Sequence, residues 1–417
     1  MATFFYSGAD LPSLTLDVAS GFDHFDAQMS LITGTATGNI FDLTGILTYE
    51  GANLFELRDG ADQFVGSIAA EQVIGGNGSD TLQGGGGIDV LTGGSGNDFL
   101  HTGFADGEID AIDGGTDTDT LVYGGFAIKG FSFTSIENFD ASGLTVIGTS
   151  EDDAFDLKGV QSYVNGNVFE LKRGSDVFVG SGQAEDVHGG KGDDTIEGRG
   201  GQDILRGGGG VDTMLGGKGA DHIYTGVADA SIDLINGGGG VDTVHYGGRA
   251  IEGFDLTAIE NFDAGNTLIE GTANANTFDL TGIQTYVDGS AFKLRRGNDT
   301  FNGSDQDETI GGGRGMDTLE GGGGNDVLTG GKGDDRFVFN DGFGDDTITD
   351  FNSRNAEDID LSGVIAITDF SDLLANHLRD NGGEAEIFTP ESTLLLQGIS
   401  VDDIGIGLAY SASDFIF

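Results

Sequence analysis

Between Gly189 and Asp221 an aspartate recurs every nine residues, at Asp194, Asp203, Asp212 and Asp221, in the run GGKGDDTIEGRGGQDILRGGGGVDTMLGGKGAD. Counted in nines, glycine holds places one and four, aspartate holds place six, and an aliphatic residue holds place eight (Ile196, Leu205) or nearby. Carboxylates are hard oxygen donors, and a repeat that stacks them makes them repel. A hard cation between them removes that repulsion, and calcium accepts six to eight oxygens from carboxylates and backbone carbonyls. A flexible glycine-rich linker has no reason to keep Asp and Leu or Ile in phase.

The elements that must position these groups follow from the same places. The aliphatic residue and its neighbours make a very short strand whose inward side chain fills a thin core. The six residues before it turn the chain back, and glycine supplies the positive φ and close backbone approach of such a turn. Each nine is then half a turn of a solenoid, and turns stack at roughly 4.8 Å. Asp194 is expected above Asp212 on one edge, and Asp203 above Asp221 on the other.

This is the known nonapeptide signature of calcium-binding parallel β-helices of the RTX type, and the chain resembles the RTX (repeat-in-toxin) proteins. The resemblance implies an all-β, right-handed parallel β-roll or β-helix solenoid that binds several calcium ions and is secreted. Carried along the chain, the register names the candidate calcium carboxylates. They are Asp80, Asp89, Asp98, Asp110 and Asp119, then Asp194, Asp203, Asp212, Asp221, Asp233 and Asp242, then Asp317, Asp326, Asp335 and Asp346. The glycines of the same loops are Gly76, Gly78, Gly85, Gly87, Gly94 and Gly96; Gly190, Gly192, Gly208, Gly210, Gly217, Gly219, Gly238 and Gly240; and Gly313, Gly315, Gly322, Gly324, Gly331 and Gly333.

Composition agrees. Glycine makes up 78 of 417 residues, and 70 acidic against 18 basic residues leave a formal charge of −52. Such acidity speaks against nucleic acid or anionic lipid as partners. It also predicts that the metal-free chain repels itself and stays largely unfolded, with calcium supplying folding energy. With no Cys, disulfides play no part; with 29 Phe and no Trp, phenylalanine is the expected large core residue. MATFFYSGADLPSLTLDVAS has neither a basic start nor a long apolar run, so no cleavable signal or membrane span is expected there. The resemblance implies instead type I secretion machinery of a Gram-negative bacterium, an uncleaved C-terminal signal, and folding outside the cell.

A longer period overlies the nonapeptides. FDLTGI at Phe41–Ile46 returns as FDLKGV at Phe155–Val160 and FDLTGI at Phe278–Ile283. Three large repeats follow: residues 1–22 as an N-terminal cap, 23–138, 139–261 and 262–351 as repeats of metal-free rungs plus nonapeptides, and 352–417 as a C-terminal cap carrying the export signal. Each repeat holds an alternating strand (Leu54–Arg58, Val168–Arg173, Ala291–Arg296) and a half-turn with Glu71, Glu185 or Glu308 in place of Asp. The first two carry three-residue insertions, Thr102–Phe104 and Thr225–Val227, and close on an Ile-Glu-Asn-Phe rung. No linker interrupts them, so one continuous rod is expected. The last segment reads as a short helix over Ser371–Arg379 and two strands near Glu386–Phe388 and Leu394–Gln397.

No His-Glu-x-x-His and no Gly-x-Ser-x-Gly occurs, against the metalloprotease and lipase branches of the family. His101, His188 and His245 fall at place nine, as exposed polar residues or, on the sharper reading, a second metal site. Arg58, Lys172 with Arg173, and Arg295 with Arg296 recur at one spot. They balance charge against a neighbouring Asp, or dock an anionic polysaccharide or cell-surface glycan. Tyr49, Tyr163 and Tyr286 recur nearby, as half-buried rung residues or as platforms for sugar rings. The sequence therefore reads as a non-enzymatic calcium-binding protein of structural or adhesive role, open to self-assembly. The alternative is a lyase or epimerase acting on polysaccharide from a rung face, which a groove of His, Tyr, Arg and Asp would favour.

Overall fold

A computed structural model describes residues 3–5, 13–15, 24–26, 31–50, 53–102, 110–225, 233–248, 250, 252–352 and 356–417. Most of the proposed N-terminal cap and the insertion residues Phe104 and Val227 lie outside these. The chain divides into two compact units, Met1–Leu205 and Arg206–Phe417.

In the first unit the nonapeptide half-turns are alternate short strands of parallel ladders. Gln63–Val65, Thr81–Gln83, Phe99–His101, Thr120–Val122 and Asn138–Asp140 pair in that order. Between them in sequence, Leu54–Asp59, Gln72–Asn77, Val90–Ser95, Ala111–Thr116 and Gly130–Thr134 form a second ladder. Successive turns are 18 residues apart, lengthening to 21, by three residues, between Asp89 and Asp110. The parallel stack is the expected all-β solenoid.

The core is one side chain deep, as period-two alternation dictates. Place-eight residues Leu82, Leu91 and Leu100 are fully buried. So are Ile196 and Leu205 in this unit, and Met214, Leu319 and Leu328 in the second. Rungs outside the nonapeptides fill the same space with phenylalanine. The contact Phe55–Phe64, with ring centroids 4.8 Å apart, recurs as Phe169–Phe178 at 4.9 Å and as Phe292–Phe301 at 4.8 Å. Tilted and edge-on aromatic pairs at this spacing add about 1 kcal/mol each beyond area burial.

The second unit repeats the scheme. His222–Tyr224, Thr243–His245, Asn261–Asp263 and Thr285–Asp288 form one parallel ladder. Thr277–Asp279, Thr300–Asn302, Thr318–Glu320, Arg336–Asn340 and Asp358–Gly363 form another, and Phe415–Ile416 pairs onto its end. Among the described residues pairing turns antiparallel only near the C-terminus, where Glu384–Phe388 lies between Thr393–Leu396 and Leu378–Asn381. The expected helix spans Phe370–Asn376, with Asp369 capping it through bonds from the Ser371 and Asp372 backbone. It stops short of Arg379 because Leu378–Asn381 is claimed by the hairpin. The third alternating strand is likewise shorter than expected, Ala291–Lys293.

Candidate metal centre

Most nonapeptide loops bend through two glycines of positive φ: +117° and +140° at Gly76 and Gly78, +110° and +142° at Gly313 and Gly315. The other site glycines named from the sequence all share that region. Place-one glycine has a different task. A Cβ on Gly75 would strike Asp80 Oδ2 and the Gly93 carbonyl of the next turn; on Gly216, Asp221 Oδ2 and the Gly237 carbonyl; on Gly312, Asp317 Oδ2 and the Gly330 carbonyl. The missing side chain lets a carboxylate oxygen and a carbonyl from adjacent turns approach one spot.

Apart from the half-buried Asp110, the place-six carboxylates are buried: Asp80, Asp89, Asp98 and Asp119 are 0% exposed, and Asp317, Asp326 and Asp335 1%. One oxygen of each belongs to the fold. The Asp62 backbone N–H donates to Asp80 Oδ1 at 2.8 Å, that of Asp80 to Asp98 Oδ1 at 2.7 Å, and that of Asp98 to Asp119 Oδ1 at 2.8 Å. In the second unit Asp299 and Asp317 donate likewise to Asp317 and Asp335. The looser nonapeptides keep the bond: Asp110 accepts from Asp89 at 2.9 Å, Asp233 from Asp212 at 3.0 Å and Asp242 from Asp221 at 2.8 Å.

In many of them the other oxygen has no such partner. Oδ2 of Asp80, Asp89, Asp98, Asp119, Asp242, Asp317, Asp326, Asp335 and Asp346 is buried with no hydrogen bond from protein. Leaving a charged oxygen so costs several kcal/mol unless it is protonated or meets a cation. Burial accordingly pushes Asp80 and Asp317 up to about 7 and Asp346 to about 8, with neighbouring carboxylates adding to the rise. Among the described residues no group of three or more His, Asp or Glu side chains converges on one point. Each turn brings one carboxylate, so backbone carbonyls must complete any oxygen shell. Hard carboxylate and carbonyl oxygens in that mixture suit calcium. Calcium, when bound, supplies the positive charge these oxygens lack.

Three members of the ladder were missed in the sequence. Asp62, Asp176 and Asp299 are 1% exposed and also carry a buried Oδ2 without a hydrogen bond. Their signal was available: each stands 18 residues before a recognised place six. It was masked because their loops begin with leucine and a basic residue instead of two glycines. The recurrent cations are that basic residue, and Arg58, Lys172 and Arg295 hold positive φ of 79°, 84° and 78°. Lys172 pairs with Glu170 and Arg295 with Glu270, so for these two charge balance runs to Glu and not to Asp.

Glu71, Glu185 and Glu308 do take the aspartate place, as the Glu185 and Glu308 backbones donate to Asp203 and Asp326 Oδ1. The Tyr163 hydroxyl donates to Glu185 at 2.6 Å and that of Tyr286 to Glu308 at 2.7 Å. These tyrosines are half-buried props for a buried carboxylate, and their rings pack edge-on against Phe139 and Phe262. The Tyr49 side chain lies outside the described residues.

Of the place-nine histidines, His188 lies 3.2 Å from Asp186 and His101 is half-buried. His245 sits in a cluster. Its Nδ1 meets Asp263 at 3.0 Å, its Nε2 meets His222 Nδ1 at 2.8 Å, and Tyr224 stacks on it at 4.4 Å beneath Arg206. Partial burial holds His245 below the ordinary imidazole value, against the upward pull of Asp263.

The geometry and the comparisons agree. The family model of the RTX calcium-binding nonapeptide repeat (4 copies) matches residues 74–109, 179–214, 188–223, 207–229, 295–319 and 311–348. The chain carries RTX calcium-binding nonapeptide repeats over these spans. The matched spans leave out Asp62, Asp176, Asp119 and Asp242, which have the same backbone contacts as the RTX aspartates inside them. Among solved structures the chain is similar to the extracellular lipase LipA from Serratia marcescens, with 16% identity and a TM-score of 0.21. That match covers 58% of this chain and 40% of the lipase, so the chain spans under half the lipase's length. No curated protein matches the chain. Among the described residues no helix is long and apolar enough to cross a membrane.

Proposed function

We propose that this RTX chain is a secreted calcium-binding protein of a Gram-negative bacterium whose fold is completed by calcium outside the cell. The observation that carries this is the ladder of buried aspartates with one oxygen bonded to backbone and the other left for a cation. In low cytosolic calcium the −52 charge keeps the chain open for a type I export channel. Millimolar calcium outside, the range to which extracellular modules are tuned, then closes the turns. Its role is structural or adhesive, at a cell surface or in a matrix, with glycans as partners. Far-UV circular dichroism tests the coupling. β-signal should vanish in chelator, return cooperatively with calcium, and not return with equal magnesium, which resists dehydration and wants octahedral geometry. An unchanged spectrum in chelator would refute it.

One observation favours a second reading, an enzyme acting on anionic polysaccharide: Arg206, Tyr224, His245 and Asp263 do converge on one flank. New unsaturation or shortened chains after incubation of calcium-loaded protein with such polymers would support it.

A further inference from the structure

We propose that His222 and His245 form a binding site for a borderline divalent ion such as zinc, distinct in chemistry from the carboxylate ladders. The two imidazoles come from adjacent rungs. His222 pairs in register with Thr243, and Tyr224 with His245, so the histidines are diagonal neighbours on the outward face of the ladder. Their facing nitrogens, His222 Nδ1 and His245 Nε2, stand 2.8 Å apart, with ring centroids at 5.1 Å. Two imidazoles on one tetrahedral zinc, at the usual Zn–N length, have nitrogens about 3.3 Å and centroids about 5 Å apart. Opening the pair by roughly half an ångström admits the ion in place of the proton shared between the nitrogens; that proton is lost from His222 Nδ1 to solvent while the exposed His222 Nε2 takes one up, so both ligands are neutral imidazoles. His222 is exposed, so water can fill the remaining positions.

The surroundings are those of a ligand. Asp263 Oδ2 accepts from His245 Nδ1 at 3.0 Å, which places the proton on Nδ1 and the lone pair of Nε2 toward His222. A carboxylate behind a histidine in this way fixes the tautomer and ring direction of metal-binding imidazoles. Tyr224, stacked on His245 with planes 12° apart, holds the ring still. Imidazole nitrogen suits zinc, nickel or copper and not calcium.

Packing does not require these histidines. The corresponding rungs of the first large repeat pair Phe99 with Thr120 and Val122 with Asp140, where the second pairs His222 with Thr243 and His245 with Asp263. Phe99 and Val122 thus occupy the same places in the same fold, with Asp140 kept.

Full-length protein in saturating calcium is titrated with zinc chloride by calorimetry, and with copper(II) under electron paramagnetic resonance. The expected result is one zinc bound tightly and a copper signal split by two imidazole nitrogens. H222Q and H245Q should each weaken zinc by at least about tenfold, D263N by about tenfold, with calcium-loaded circular dichroism unchanged. H222F, which copies Phe99, keeps the fold if H222Q does not. Zinc bound equally well by H222Q or H222F, or no zinc bound by the parent, would overturn the assignment.

Discussion

Two adjacent carboxylates in the third repeat differ only in where the backbone puts them. Asp335 is buried, with Oδ1 bonded to the Asp317 backbone and Oδ2 without a hydrogen bond; Asp334 is exposed. Their charge is the same, so their substitution separates ligand loss from charge loss. D335N keeps the hydrogen bond through its amide oxygen but removes the anionic donor. It should raise the calcium midpoint roughly tenfold, about 1.4 kcal/mol, whereas D334N should shift it little, since surface charges are screened. Equal shifts in a calcium titration would mean that net charge, not place six, sets affinity.

At the scale of the half-turn, place two takes positive φ at Gly76, Gly190 and Gly313 and also where Arg58, Lys172 or Arg199 fills it, but not where serine does in the glutamate half-turns. Glycine adopts positive φ without strain. Arg199 instead sits there at +72°, with only an exposed contact of 3.9 Å to Glu197. Left-handed backbone costs a non-glycine residue about 1 kcal/mol or more. R199G should therefore raise the melting temperature of the calcium-loaded protein by an amount equal to about 1 kcal/mol, despite the looser unfolded chain that glycine brings. Scanning calorimetry showing a lower melting temperature would mean that Arg199 makes a stabilising contact that outweighs its strain.

For the molecule as a whole, protons and calcium compete for the same buried oxygens. Asp80 and Asp317 rise to about 7 and Asp346 to about 8 in the calcium-free fold, from ordinary unfolded values near 4. Between those values the folded state holds protons that the unfolded state has released, so stability falls as pH rises. The calcium-free chain should thus gain β-signal as pH drops from 8 toward 4, while calcium affinity weakens over the same range. A calcium-free chain equally disordered at pH 4.5 and pH 8 would contradict this.

Much of this was legible in residues alone. In a solenoid, period along the chain equals period in space, so a nine-residue phase places glycine at the bend, aspartate at the edge and leucine in the core without any knowledge of distant partners. Even Asp62, Asp176 and Asp299, overlooked behind a leucine and a basic residue, lie where that arithmetic puts them. What tertiary structure alone decided is which outward side chains meet. That depends on turn length, and insertions change it: His222 reaches His245 across 23 residues, and Tyr163 reaches Glu185 across 22, neither a multiple of nine. The helix ending at Asn376 was decided the same way, because a strand hydrogen-bonded to Glu384–Phe388 outcompeted its last turn.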